Sequence, residues 1–180
     1  MKGLSAAAFP LRSDPTVHVD GDSADGDIRG NNGTWALTRT TSSDYDTSWD
    51  AMRIGTQKIT SSQWTVHRAY LKFDTSSIGL GATINQVNLE LTFDDYKSTV
   101  DGNFDILIKK QDWSAQDPIS SGNREAAYDN CLTATEDDSI WENTANISGN
   151  FSTYTSGDLD VSWHNLDAGT YHSLLSSKHG

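Results

Sequence analysis

The side chains in this sequence that could do chemistry are clustered carboxylates, six indoles and a single thiol. The stretch from Asp20 to Asp27 (DGDSADGD) places Asp20, Asp22, Asp25 and Asp27 within eight residues. Ca²⁺ takes about six to eight oxygen ligands, and Asp-rich loops supply them. Calcium is therefore the candidate metal and these four aspartates its candidate ligands, with no cofactor demanded. Ala24 breaks the EF-hand pattern and no Glu follows at the EF-hand distance, so a solvated turn is the competing reading. Glycoside hydrolysis needs two carboxyl groups roughly 5–10 Å apart across a cleft. The acid pairs Asp44/Asp46 and Asp94/Asp95, and the run Glu136–Asp138, are turn-like, and nothing in the sequence pairs one with another. The chain contains no G-x-S-x-G elbow, P-loop or dinucleotide fingerprint. These features favour a non-enzymatic protein.

Cys131 is the only cysteine, which excludes an intramolecular disulfide and reads as a small buried side chain. His18, His67, His164, His172 and His179 have no metal-ligand spacing. Aromatic residues in loops stack on sugar rings or anchor interfaces. Trp113 and Trp141, in loop-like context, are the candidate glycan-binding residues, set against packing that anchors the loops. Trp49 and Trp64 share that context, whereas Trp163 falls in period with Leu159 and Val161 and reads as core. The sequons at Asn32, Asn146 and Asn150 read as chance in a Ser/Thr-rich chain.

The elements that position these groups are strands. With 180 residues the chain has the length of one domain and can bury a two-layer core. A formal net charge of −12 sets aside nucleic acid and anionic membranes as partners. The apolar part of the N-terminal ten residues is too short for a signal-peptide core, and no 18-residue apolar segment exists to span a membrane as a helix. Residues 1–15 carry Pro10 and Pro15 without sustained periodicity and read as an arm, leaving 16–180 as the domain.

Short strands are expected at Thr16–Asp20, Trp35–Arg39 and Ala51–Gly55. The clearest pattern follows: Ala69, Leu71 and Phe73 share one face, with Arg68, Tyr70 and Lys72 on the other. Val87, Leu89, Leu91 and Phe93 alternate in the same way, as do Phe104, Ile106 and Ile108, and Leu159, Val161 and Trp163. Period-2 alternation of this kind excludes an amphipathic helix and calls for a second sheet as cover. Gln111–Tyr154 reads as long and irregular, with one or two helical turns over Arg124–Asn130. The fold class expected is all-β: an antiparallel two-sheet sandwich, jelly-roll-like.

The run from His67 to Ile78 (HRAYLKFDTSSI), followed by Gly81–Leu91 (GATINQVNLEL), resembles the signature R-x-x-L-x-F-D-T-S-x-I-P-x-G-A-T-I-x-x-A-x-L-x-L of DNRLRE-type, carbohydrate-binding-module-like β-sandwich domains. Asp25–Ile28, Met52–Gly55, Phe104–Ile108, Asp117–Pro118 and Asp158–Val161 fit the same pattern, so the resemblance spans most of the chain. Gly79–Leu80 replaces the proline. Physically the motif reads as scaffold: Asp74–Ser77 caps a turn and Gly81 restarts the next strand. Such domains occur in phage and archaeal-virus particles, surface adhesins and secreted polysaccharide-active proteins. The resemblance implies a virion surface component, such as a capsid-decoration, head-fibre or tail-associated subunit. Its partners would be other virion or surface proteins and further copies of itself as a homo-oligomer. The alternative is an extracellular or cell-surface carbohydrate-binding module with a glycan ligand. Relatives generally continue past a segment like Tyr171–Ser177 into closing strands, so a sheet edge either left for a neighbour's strand or filled by the N-terminal arm is also expected.

Overall fold

The computed structural model describes residues 21, 23–47, 52–78, 82–93, 103–147, 151–163 and 170–176. The arm over 1–15 and the strand expected at Thr16–Asp20 lie outside the described residues. The fold is built around one long strand, β4 (Gln63–Phe73), whose β-branched and aromatic residues suit a pleated surface. On one side it pairs with β1 (Gly26–Asn32), in a register running from Gly26↔Tyr70 to Asn32↔Trp64. On its other side β3 (Gly55–Thr60) pairs with the first half and β9 (Thr170–Ser176) with the second. With β2 (Asp44–Asp46), β6 (Asp105–Lys110) and β7 (Thr135–Asn143) these strands form one antiparallel sheet in the order β2-β1-β4-β9-β6-β7, with β3 attached to β4.

A second antiparallel sheet pairs β5 (Glu90–Phe93) with β8 (Ser152–Thr155). Backbone hydrogen bonds extend its line to Leu89 and Val87, which accept from Ser156 N (2.8 Å) and Leu159 N (2.9 Å). The architecture is the expected all-β, antiparallel two-sheet sandwich, and neither sheet closes on itself.

Alternation along β4 sends its two sets of side chains into two different cores. Ala69 and Leu71 join Ile106, Ile108 and Leu174 against Leu89, Ile147 and Leu159, with Val87, Leu91 and Phe93 of the smaller sheet packed on them. Each fully buried aliphatic of this kind contributes about 1.5–3 kcal/mol. The other face, carrying Val66 and Tyr70, is not left to solvent. A helix, α2 (Arg124–Thr133), covers it through Ala127, Tyr128 and Cys131, with Trp113, Ile119 and Ile28 filling the same core.

Arg68, in the middle of that face, is 0% exposed. Its guanidinium donates to the carbonyls of Tyr128 and Arg39 (2.6 Å to the latter) and lies 3.7 Å from the Tyr128 ring centroid. Tyr70 Oη and Gln111 Nε2 donate to Ala127 O at 3.0 and 2.8 Å. Tyr128 Oη donates to Thr38 O (2.7 Å), and Ser42 donates through its backbone N (2.8 Å) and its hydroxyl to the Glu125 carboxylate. The chain can approach this closely at Gly30 because a Cβ there would lie 2.3 Å from Thr38 O and 2.4 Å from Tyr128 Oη.

Several elements depart from expectation. Trp35–Thr40 is a helix, α1, because Thr34 caps it by accepting from Leu37 N (3.4 Å). The strand expected at Ala51–Gly55 begins only at Gly55 and runs to Thr60. Val161–Trp163 forms a 3-10 turn rather than a strand. Asp160 accepts from both the N–H (2.9 Å) and the hydroxyl (2.6 Å) of Ser162 and bends the backbone, leaving Val161 39% exposed although Leu159 is buried. The stretch Gln111–Tyr154 is structured by α2, longer than the helical turns expected there, and by β7 and β8. The segment at Tyr171, expected to precede closing strands and an unfilled edge, is itself β9. It sits between β4 and β6, and pairing on both sides leaves it no free edge. The cap expected after Phe73 is present: Ser76 N donates to Asp74 Oδ1 (3.0 Å) at the start of a short 3-10 turn.

Candidate functional site

The smaller sheet covers only part of the large sheet's inner face. Toward β2, the same face carries charge instead of aliphatic groups. Register places Asp44, Arg29 and His67 in one cross-strand row and Asp46 beside Asp27 in the next. β2 can lie this close because β1 carries Gly26 here, where a Cβ would fall 2.3 Å from Asp46 O. Together with Tyr45 and with Arg53, from the segment preceding β3, these residues line a recess of about 50 Å³.

Four of its groups are held in two pairs. Asp27, whose side chain is 5% exposed, is hydrogen-bonded to His67 Nδ1 at 2.8 Å. Arg29 is ion-paired with Asp44. Asp27 and Asp46 directly oppose each other, a like-charge arrangement that costs stability unless cations stand nearby. Arg29 and Arg53 supply that positive charge in the same recess. A carboxylate fixing one ring nitrogen of an imidazole sets the ring's orientation and leaves the other nitrogen for a partner. The hydroxyl among the lining residues is the Tyr45 phenol.

Of the four expected metal ligands, the two that lie among the described residues, Asp25 and Asp27, turn to different partners. Asp25 turns to the backbone and accepts from Lys72 N (2.7 Å), while Asp27 turns to His67. Asp20 and Asp22 lie outside the described residues. Among the described residues, no three His, Cys, Asp or Glu side chains form a group able to hold a metal ion.

Trp113 requires correction as a glycan-stacking residue. It is 0% exposed, packed edge-on against Tyr171 (ring centroids 5.0 Å apart) and Tyr70 (6.0 Å), so no ring face is open to a sugar. Burial of its large apolar ring under α2 won over loop exposure. Trp141 lies on β7, and its side chain is outside the described residues, as is that of Trp163. Cys131 is buried as expected. Burial pushes its thiol above the ordinary range more than Arg68 and Lys109 draw it down, so the neutral thiol is the state at physiological pH.

From sequence, Asp27 is a candidate metal ligand and Asp44/Asp46 an acid pair, but nothing in the sequence joins them to one another or to Arg29, Arg53 and His67. The available signal was His67 itself, a titratable group in the alternating row that continues as Ala69 and Leu71. Comparisons with family models, curated proteins and solved structures return no match to this chain.

Proposed function

We propose that this chain is a non-enzymatic structural and binding protein: a virion surface component of the capsid-decoration, head-fibre or tail-associated kind, acting by assembly and by attachment to a host surface. One observation carries the non-enzymatic part. The most chemically equipped spot among the described residues is a recess in which Arg29 is paired with Asp44 and His67 with Asp27 across neighbouring strands. Such a surface suits recognition by hydrogen bonding more than covalent chemistry. The virion assignment draws its support from the resemblance carried by His67–Ile78 and Gly81–Leu91.

The test is sedimentation equilibrium of the purified chain together with its recovery from purified particles. A symmetric oligomer that co-purifies with particles at constant copy number is the expected result. A chain that stays monomeric at all accessible concentrations and is absent from particles refutes the proposal. The second reading, a carbohydrate-binding module of a secreted or adhesive protein, is favoured by the mixed donors and acceptors of the recess.

A further inference from the structure

We propose that Asn32–Gly33 is a self-modifying site, at which the folded chain converts Asn32 to aspartyl and isoaspartyl forms with water as the only co-reactant. The proposal stands apart from what the chain binds. Asparagine loses its side-chain nitrogen when the backbone N of the next residue attacks its Cγ. The new N–Cγ bond closes a five-membered succinimide, and the amide nitrogen leaves as ammonia with the proton that the backbone N–H gives up. Water then opens the ring at either carbonyl, giving aspartate or, with the chain rerouted through Cβ and Cγ, isoaspartate. The attack needs an unhindered backbone N, and glycine, with no Cβ, supplies it. Asn32–Gly33 is the only Asn-Gly dipeptide in the sequence.

The fold presents this dipeptide for the reaction. Asn32 is the last residue of β1, opposite Trp64, and Gly33 opens the exposed bend that leads into α1. The Gly33 N–H donates to Asn32 Oδ1 (2.9 Å), which holds the attacking nitrogen beside the carbonyl group it must reach. Asp25–Gly26, which forms the same ring by loss of water, is held differently: Asp25 accepts from Lys72 N (2.7 Å) and Gly26 is buried in β1. Conversion of Asn32 changes more than charge. It adds one carboxylate to a chain of net charge −12, and the isoaspartyl form puts an extra backbone carbon between β1 and α1. Asn32 O accepts from Thr38 Oγ1 (3.4 Å), and the Thr38 and Arg39 carbonyls of α1 accept from Tyr128 and Arg68. The lengthened link therefore loosens the contacts that tie α1 to the core under α2.

The experiment incubates the purified, folded chain in mildly alkaline buffer at body temperature and follows each asparagine by peptide mass spectrometry. Isoaspartate is detected by its enzymatic methylation. The peptide holding Asn32 is expected to gain about 1 Da before any other asparagine does, as NH₂ gives way to OH. Gly33→Ala is expected to slow that gain about tenfold or more, by hindering the attacking nitrogen. A Cβ at Gly33 would meet Ser62 O at 3.6 Å, an ordinary contact, so this variant keeps the fold, checked by an unchanged urea midpoint. The isoaspartyl fraction, separated by charge, is expected to unfold at lower urea than the unmodified chain. No gain at Asn32 in the folded chain, earlier conversion at another asparagine, or a Gly33→Ala variant that reacts as fast overturns the proposal. An isoaspartyl fraction with an unchanged urea midpoint refutes the loosening of α1.

Discussion

Replacing Trp113 with alanine separates a core residue from a ligand platform. The indole is fully buried and meets two aromatic rings edge-on, Tyr171 at 5.0 Å and Tyr70 at 6.0 Å. Truncating a buried Trp costs about 3–5 kcal/mol, from lost transfer free energy and the cavity left behind. Two edge-to-face pairs, each about 0.5–1.5 kcal/mol beyond area burial, place this site in the upper half of that range. A domain of this kind has about 5–15 kcal/mol to lose, so Trp113→Ala removes about a quarter of it or more. Urea unfolding followed by circular dichroism gives the shift in midpoint. Trp113→Phe, which keeps one ring, is expected to lose less than half as much. A double-mutant cycle of Trp113→Ala with Tyr171→Leu is expected to show coupling of about 1 kcal/mol. A loss below about 1 kcal/mol for Trp113→Ala, accompanied by loss of sugar retention, refutes the buried placement and restores Trp113 as a surface ligand.

Three further outcomes follow from the core under α2. Arg68→Ala is expected to destabilise by about 3–5 kcal/mol in urea unfolding, because two charge-assisted hydrogen bonds and a cation–π contact are lost. Arg68→Met, which fills the space without leaving a cavity, is expected to cost less, and equal losses for the two variants contradict this account. Burial pushes the Tyr70 phenol well above its ordinary range and Tyr128 to about 12. Raised acids favour the folded state while they stay protonated, so their contribution is complete below the unfolded value of about 10 and disappears as pH rises through the folded one. Stability measured from neutral pH upward should therefore fall above about pH 10, by about 2 kcal/mol for Tyr128 alone; a flat profile there counts against the buried phenols. Cys131 should resist thiol labelling in native buffer and react at once in denaturant, and rapid native labelling would show α2 lifting from the sheet.

The sequence alone determined the elements whose signals are local. Period-2 alternation identified β4 and β6, because side chains on a strand alternate between faces wherever that strand sits. The Asp74 cap and the helix beginning at Arg124 were legible for the same reason: each depends on neighbours a few residues away. Asp160 shows the limit of that approach. The apolar spacing of Leu159, Val161 and Trp163 matched a strand, yet one carboxylate bonding to Ser162 two residues on turned the chain into a 3-10 turn.

Only the tertiary structure decided what covers each face and which strands become neighbours. The Asp27–His67 pair spans 40 residues, and Ser42–Glu125 spans 83. β9 enters between β4 and β6, far from either in sequence. Arg68 looks like an outward-facing residue from alternation alone and is buried because α2 offers it two carbonyls and a ring. Periodicity reports that a residue shares a face with its second neighbours; it carries no information about what lies above that face. The recess and the core under α2 were decided at that second level, where packing selects among partners that the pattern along one strand leaves equivalent.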